Sequence, residues 1–126
     1  MSYNSPKDNR AFIQQLKESG DLVTVNQEVD WDLEMGAIVR RVCENQLAAP
    51  YFKKITDYPG FEAFGAPMAT YRRLAIAMGL DAATPIPEIA NAYVQRTQEA
   101  PIDPVIIDAS QAPCKANILT GDNANL

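Results

Sequence analysis

Met35, Ile38, Val39 and Val42 fall at i, i+3, i+4 and i+7, which is one face of a helix with 3.6 residues per turn. Two runs of a different period flank this stripe. Leu22-Val23-Thr24-Val25-Asn26 alternates and is rich in β-branched residues, and Tyr51-Phe52-Lys53-Lys54-Ile55 is aromatic and β-branched. Both runs read as strands. The apolar period therefore switches from two to 3.6 and back within one stretch of chain. Helices and strands must then bury their apolar faces against each other, and a length of 126 residues holds one such domain.

The remaining signals extend this pattern. Ser5 is placed to cap a first helix, Pro6 suits its first position and Asp8 its positive end. Ala11, Phe12, Ile13 and Leu16 supply its apolar stripe, and Gly20 stops it. Asp30 and Asp32 are candidate caps for the second helix. Asp57-Tyr58-Pro59-Gly60 is a turn with type II chemistry from Pro-Gly, and Phe61 to Phe64 forms a hairpin with the strand before it. Thr70 caps a third helix, Tyr71 to Met78, closed by Gly79. Pro85 and Pro87 precede a fourth, Glu88 to Gln98, with Ile89, Tyr93, Val94 and Thr97 along one side. Pro101 and Pro104 break the chain. Val105-Ile106-Ile107 reads as a buried strand, and Asn117-Ile118-Leu119 as one more. The expected class is α/β, with α+β as the alternative: a small domain with a mixed sheet and about four helices. Residues 1–4 read as a loose tail, 5–120 as the domain, and the polar 121–126 as the start of a linker into another domain.

Composition excludes several functions. The proportions, 47% hydrophobic and 21% charged, are those of a globular chain. The net charge is −5, and the eleven basic residues cluster no further than the pairs Arg40-Arg41, Lys53-Lys54 and Arg72-Arg73. Nucleic acid is therefore not an expected partner, because phosphate binding needs a concentrated positive face. No apolar run approaches the roughly 20 residues of a membrane helix, so no membrane partner is expected. The start is polar and unlike a signal peptide, which gives a cytoplasmic expectation. With no histidine, His-based triads and His-containing zinc sites are not available within the chain.

The candidates for chemistry each have a plainer reading. Glu28, Asp30, Asp32 and Glu34 could gather a hard cation, or cap and compensate the second helix. Arg72 and Arg73 open the third helix and could grip an anion, or lie on the surface or at a domain contact. Gly121-Asp122-Asn123 could approach a ligand closely or form an ordinary turn. Trp31 could stack on an aromatic ligand or pack where the second helix begins. Cys43 reads as a small core residue beside the apolar stripe. Cys114, after Pro113, is the more exposed thiol, without a histidine base to make it a nucleophile. Residue patterns alone thus reach an α/β domain without a complete active site.

Several segments in order resemble the UbiD family of reversible aromatic-acid decarboxylases. They are Arg10-Ala11-Phe12-Ile13-Gln14-Gln15-Leu16 with Gly20-Asp21-Leu22-Val23, Glu28-Val29-Asp30-Trp31-Asp32-Leu33-Glu34, and Ala49-Pro50-Tyr51-Phe52-Lys53-Lys54-Ile55. Gly65-Ala66-Pro67 followed by Tyr71-Arg72-Arg73-Leu74-Ala75-Ile76-Ala77-Met78-Gly79-Leu80 is the best single marker. The run from Cys114 to Leu126 resembles the family's passage into its central domain. The resemblance implies an N-terminal α/β domain, followed by a split β-barrel binding prenylated FMN and a C-terminal domain mediating oligomerisation. It implies a divalent metal (Mn) and K⁺ beside the flavin phosphate, and a small aromatic carboxylic acid as substrate, nearest the hydroxybenzoate members that act on protocatechuate. It implies a homo-oligomer whose catalytic, flavin and metal residues lie downstream. None is carried onto residues 1–126, and this chain alone is expected to be inactive. A carboxylate leaving an aromatic ring produces a carbanion-like centre, and supplying the electron sink for it is cofactor work. The competing expectation is a stand-alone, non-enzymatic module using the same fold for protein contact; an open reading frame running far past Leu126 would separate the two.

A cytoplasmic chain keeps its thiols reduced. Thiol titration of the purified protein under denaturing, non-reducing conditions is expected to find Cys43 and Cys114 both free; a chain with no titratable thiol would contradict that compartment.

Overall fold

The first helix of the computed structural model, which describes residues 4–124, opens at Asp8 rather than Ser5. The Asp8 carboxylate accepts from the Ala11 amide at 2.8 Å, so α1 spans Asn9–Glu18. A carboxylate caps as well as a hydroxyl and adds a favourable charge at the helix's positive end. Gly20 closes the helix at φ 73, as expected of a glycine stop. Of the expected tail, residues 1–3 lie outside the described residues, while Asn4 rests against Gly79. There a Cβ would come within 2.4 Å of the Ser5 amide nitrogen, and φ is 67, so both space and backbone angle require glycine.

Among the described residues the chain then forms β1 (Leu22–Val29), α2 (Glu34–Glu44), β2 (Ala49–Ile55), β3 (Ala63–Phe64), α3 (Tyr71–Ala77) and α4 (Ile86–Thr97), with 3₁₀ turns at Ala109–Gln111, Pro113–Lys115 and Gly121–Asn123. The sheet order is β1-β2-β3. β1 and β2 run parallel, with Leu22 opposite Ala49 and Thr24 opposite Tyr51. β2 and β3 run antiparallel, with Tyr51 opposite Phe64. The sheet is thus mixed and the class α/β. The turn between β2 and β3 falls one residue later than its sequence suggests: the Phe61 amide donates to the Tyr58 carbonyl at 3.2 Å, placing Pro59 and Gly60 (φ 85) at its centre.

Alternation along β2 divides the molecule into layers. On one face, Ala49 joins Phe12 and Leu16 of α1 and Ile76 of α3 in a buried cluster, with Leu22 and Phe64 packed against it. On the other face lie Pro50 and Phe52, covered by α2. Val39 comes so close that a Cβ at Gly65 would meet its Cγ2 at 2.5 Å. The stripe read from the sequence is the buried side of α2, with Val42 buried and Met35, Ile38 and Val39 half-buried. α4 docks on α3 through Ile89, against Ala75 and Met78.

Three expectations require correction. Asp30 and Asp32 do not cap α2. Leu33 holds the cap position at φ 64 with no side-chain bond, while the Asp30 carboxylate accepts from the Asp32 amide at 2.9 Å. Glu34 reaches back to accept from the Asp30 amide at 2.8 Å, so the acidic run closes its own turn. Cys43 is exposed rather than a core residue; it follows Val42 by one position, about 100° around the helix, and so leaves the sheet-facing side. Val105-Ile106-Ile107 and Asn117-Ile118-Leu119 form no strand, and all six side chains are exposed. A strand needs a ladder partner and a covering layer, and neither stands beside these runs.

The third helix carries the least expected feature. Arg73 is fully buried. Its Nη1 donates to Asp21 Oδ1 at 2.9 Å and to the Leu47 carbonyl at 3.0 Å. The neighbouring Arg72 Nη2 donates to the Ser19 carbonyl at 2.9 Å. Arg73 is thus not a surface cation, one of the readings the sequence allowed, while Arg72 stays exposed; the turn after α1 brings a carboxylate and a carbonyl to meet them. Removing one member of a buried pair strands the other, at a cost of about 3–5 kcal/mol. Asp21→Ala is expected to lower the unfolding free energy by about that amount, with an unchanged denaturant slope; urea denaturation would check it, and a loss below about 1 kcal/mol would show that the pair is not structural.

Candidate functional site

The positions singled out in the sequence do not converge on one site. Among the described residues no group of three His, Cys, Asp or Glu side chains could hold a metal ion; of the acidic run, Glu28 lies in β1, and Asp30, Asp32 and Glu34 form the turn. Gly121 begins a 3₁₀ turn at φ 60 with open space where a Cβ would stand; nothing approaches it closely. Both thiols are exposed and far apart in sequence, with no disulfide between them. Trp31, half exposed, meets Tyr58 edge to face at 6.0 Å, and Tyr58 meets Phe61 in the same manner at 6.3 Å.

A polar cluster that sequence reasoning missed lies where β2 meets the chain leading into β3. Tyr51 and Lys53 alternate onto the same face of β2, and Glu62 stands just before Ala63 in the neighbouring strand. The Tyr51 hydroxyl and the Lys53 ammonium both donate to the Glu62 carboxylate, and the ammonium also lies 4.8 Å from the centre of the Tyr51 ring. These bonds set the titration of all three. Hydrogen bonds from Lys53 and then Tyr51 hold Glu62 below the usual carboxylate range. The bond to Glu62 raises both Lys53 and Tyr51 above their ordinary values. The signal that could have found the cluster was a register: with Tyr51 opposite Phe64 and Phe52 opposite Ala63, the next step brings Glu62 beside Lys53 and within reach of Tyr51.

The last segment turns apolar side chains outward. Ile102 and Ile106 are 96% and 95% exposed, and Val105, Ile107, Ile118 and Leu119 are exposed with them. Asp108 caps the first 3₁₀ turn by accepting from the Ser110 hydroxyl and amide, which holds its carboxyl below the usual range. Exposed apolar side chains in such number are more than a small domain ordinarily leaves to water. A flavin with a divalent metal would find no set of three metal-holding side chains among the described residues. No helix among them is long and apolar enough to cross a membrane.

The three-membered cluster has a defined pH window. Glu62 contributes stability above the ordinary glutamate pKa, and this is lost as pH falls through its depressed value. Lys53 contributes below the ordinary lysine pKa, and this is lost as pH rises through its raised value. Glu62→Gln is expected to bring the Tyr51 phenol down towards its ordinary range, followed by the NMR shifts of that ring; an unmoved titration would show that the phenol–carboxylate bond does not hold in solution.

With the geometry in place, comparison with known proteins is direct. Residues 13–93 match the family model described as the 3-octaprenyl-4-hydroxybenzoate carboxy-lyase N-terminal domain. Ferulic acid decarboxylase 1 of Saccharomyces cerevisiae is 34% identical over 98% of this chain and 26% of its own length. Pyrrole-2-carboxylic acid decarboxylase of Pseudomonas aeruginosa is 35% identical over 97% of this chain and 26% of its own. The vanillic acid decarboxylase of Sedimentibacter hydroxybenzoicus, in its open form, superposes with a TM-score of 0.74 at 26% identity, over 92% of this chain and 25% of that one. The chain therefore spans about a quarter of the length of the curated relatives it matches. The chain belongs to the UbiD family, of whose carboxy-lyases it carries the N-terminal domain.

Proposed function

We propose that this chain serves as the supporting N-terminal domain of a reversible, non-oxidative decarboxylase of aromatic acids, with 3,4-dihydroxybenzoate (protocatechuate) within its substrate class. The observation that carries this reading is the match of nearly the whole chain, in order, to the first-quarter equivalent of several decarboxylases. Their named substrates share a carboxyl group conjugated with an aromatic ring, and protocatechuate has the same feature. The electron sink, prenylated FMN with a divalent metal (Mn) and K⁺, belongs in this reading to a downstream flavin-binding domain of the same polypeptide.

The domain's own task is then mechanical. Its outward apolar segment, Ile102 to Leu119, gives the downstream domain a surface to pack on. The reading places residues 5–120 in the domain and 121–126 at the linker; Asn125 and Leu126 of that linker lie outside the described residues. It further places the enzyme in the cytoplasm as a homo-oligomer.

The test is a comparison of two proteins. The full-length polypeptide containing this segment, supplied with prenylated FMN, is expected to release CO₂ from at least one of protocatechuate, vanillate, ferulate and pyrrole-2-carboxylate. The 126-residue chain under the same conditions should release none and retain no flavin through gel filtration. A full-length protein that neither binds the flavin nor releases CO₂ would favour the non-enzymatic contact module instead.

A further inference from the structure

One side of α1 faces the sheet without filling the space above it. Arg10 and Lys17 lie seven residues apart, two turns along the same helical face and about 10 Å in rise. Opposite them, Tyr51 and Lys53 project from β2. Between the two walls lies an open groove of about 410 Å³ with Ile13 and Leu22 as its half-buried apolar floor, completed by Gln14 and Thr24. That volume is in the range of small-molecule sites, roughly 300–1,000 Å³.

Its charge departs from that of the chain. The protein carries a net −5, yet three of the groove's lining side chains are cations and none is a carboxylate. The nearby carboxylates are already engaged. Glu18 accepts from Gln14 at 2.8 Å, and Glu62 holds Lys53 and the Tyr51 phenol. The ion pairs among the described residues involve neither Arg10 nor Lys17. Cations arranged around an apolar floor with a phenol ring at its side suit a flat apolar body bearing an anionic group such as a carboxylate. A simple inorganic anion leaves the floor unused, and a neutral ring leaves the cations unused.

We propose that this groove binds a small aromatic carboxylate, with its ring against Ile13, Leu22 and Tyr51 and its carboxylate among Arg10, Lys17 and Lys53. Every lining residue named belongs to this domain, so the binding test does not depend on the decarboxylase reading. Open geometry and exposed cations set the affinity at a Kd on the order of 1 mM.

The experiment is an amide ¹H–¹⁵N titration of the 126-residue chain with 3,4-dihydroxybenzoate, and separately with acetate and with catechol. Saturable shifts confined to the amides around Ile13, Lys17, Thr24 and Tyr51 are expected with the aromatic acid, weakening with salt, and no saturation with either half-ligand. The double variant Arg10→Gln, Lys17→Gln changes exposed positions of α1 and should weaken binding about fivefold. Glu62→Gln removes the carboxylate that competes for Lys53 and should tighten binding about twofold or more, with spectral dispersion confirming that each variant is folded. Shifts reproduced by acetate alone, shifts centred elsewhere, or undiminished binding by the double variant would overturn the site.

Discussion

Three connections of this fold meet at the guanidinium of Arg73. It is fully buried, and its bonds to Asp21 and to the Leu47 carbonyl tie three separate connections together: the turn after α1, the loop between α2 and β2, and the first turn of α3. The same loop and turn are laced by backbone bonds, Ala49 to the Asp21 carbonyl at 3.0 Å and Asp21 to the Leu16 carbonyl at 2.9 Å. A charge removed from water costs several kcal/mol unless it is paired and bonded. The pair therefore adds less to net stability than it does to uniqueness: packings that separate Asp21 from Arg73 leave two stranded charges. Register follows from this, because Leu22 begins β1 immediately after Asp21 and Ala49 begins β2 two residues after Leu47.

Around that node the hydrophobic layers are conventional. Phe12, Leu16, Ala49 and Ile76 fill the space between α1, α3 and one face of the sheet, and α2 covers the other. The core is modest and stops short of the last segment. Past α4 the apolar side chains point outward, which a small domain tolerates only if another surface covers them or the chain bears the exposure. The chain spans about a quarter of the length of its curated relatives, and in the proposed function a downstream domain provides the cover.

The absence of histidine turned out to be informative in an indirect way. It removed whole classes of catalysis at the outset, and the structure brings no set of acidic or thiol side chains together to replace them among the described residues. What polar organisation the surface has is of another kind. Glu62 gathers a phenol and an ammonium, and the groove beside them collects cations around an apolar floor.

The sequence by itself determined the kinds and order of most elements. The stripe Met35, Ile38, Val39, Val42, the cap Thr70, the stop residues Gly20 and Gly79, and the hairpin turn at Pro59-Gly60 are local signals, each set by periodicity or by backbone angles that few residues adopt. The order of the family's segments was legible in the same way. Only the tertiary structure decided what lies far apart along the chain. Asp21 and Arg73 are 52 residues apart, and nothing local in either marks it for the other; an arginine at the start of a helix reads as a surface cation until a carboxylate is folded against it. Cys43, adjacent to a buried valine, was turned outward by one helical step. Val105-Ile106-Ile107 has the composition of a buried strand, but a strand exists only where a neighbour supplies its ladder and its cover. Composition can state a preference for burial; whether a partner stands there to satisfy it is a property of the whole fold.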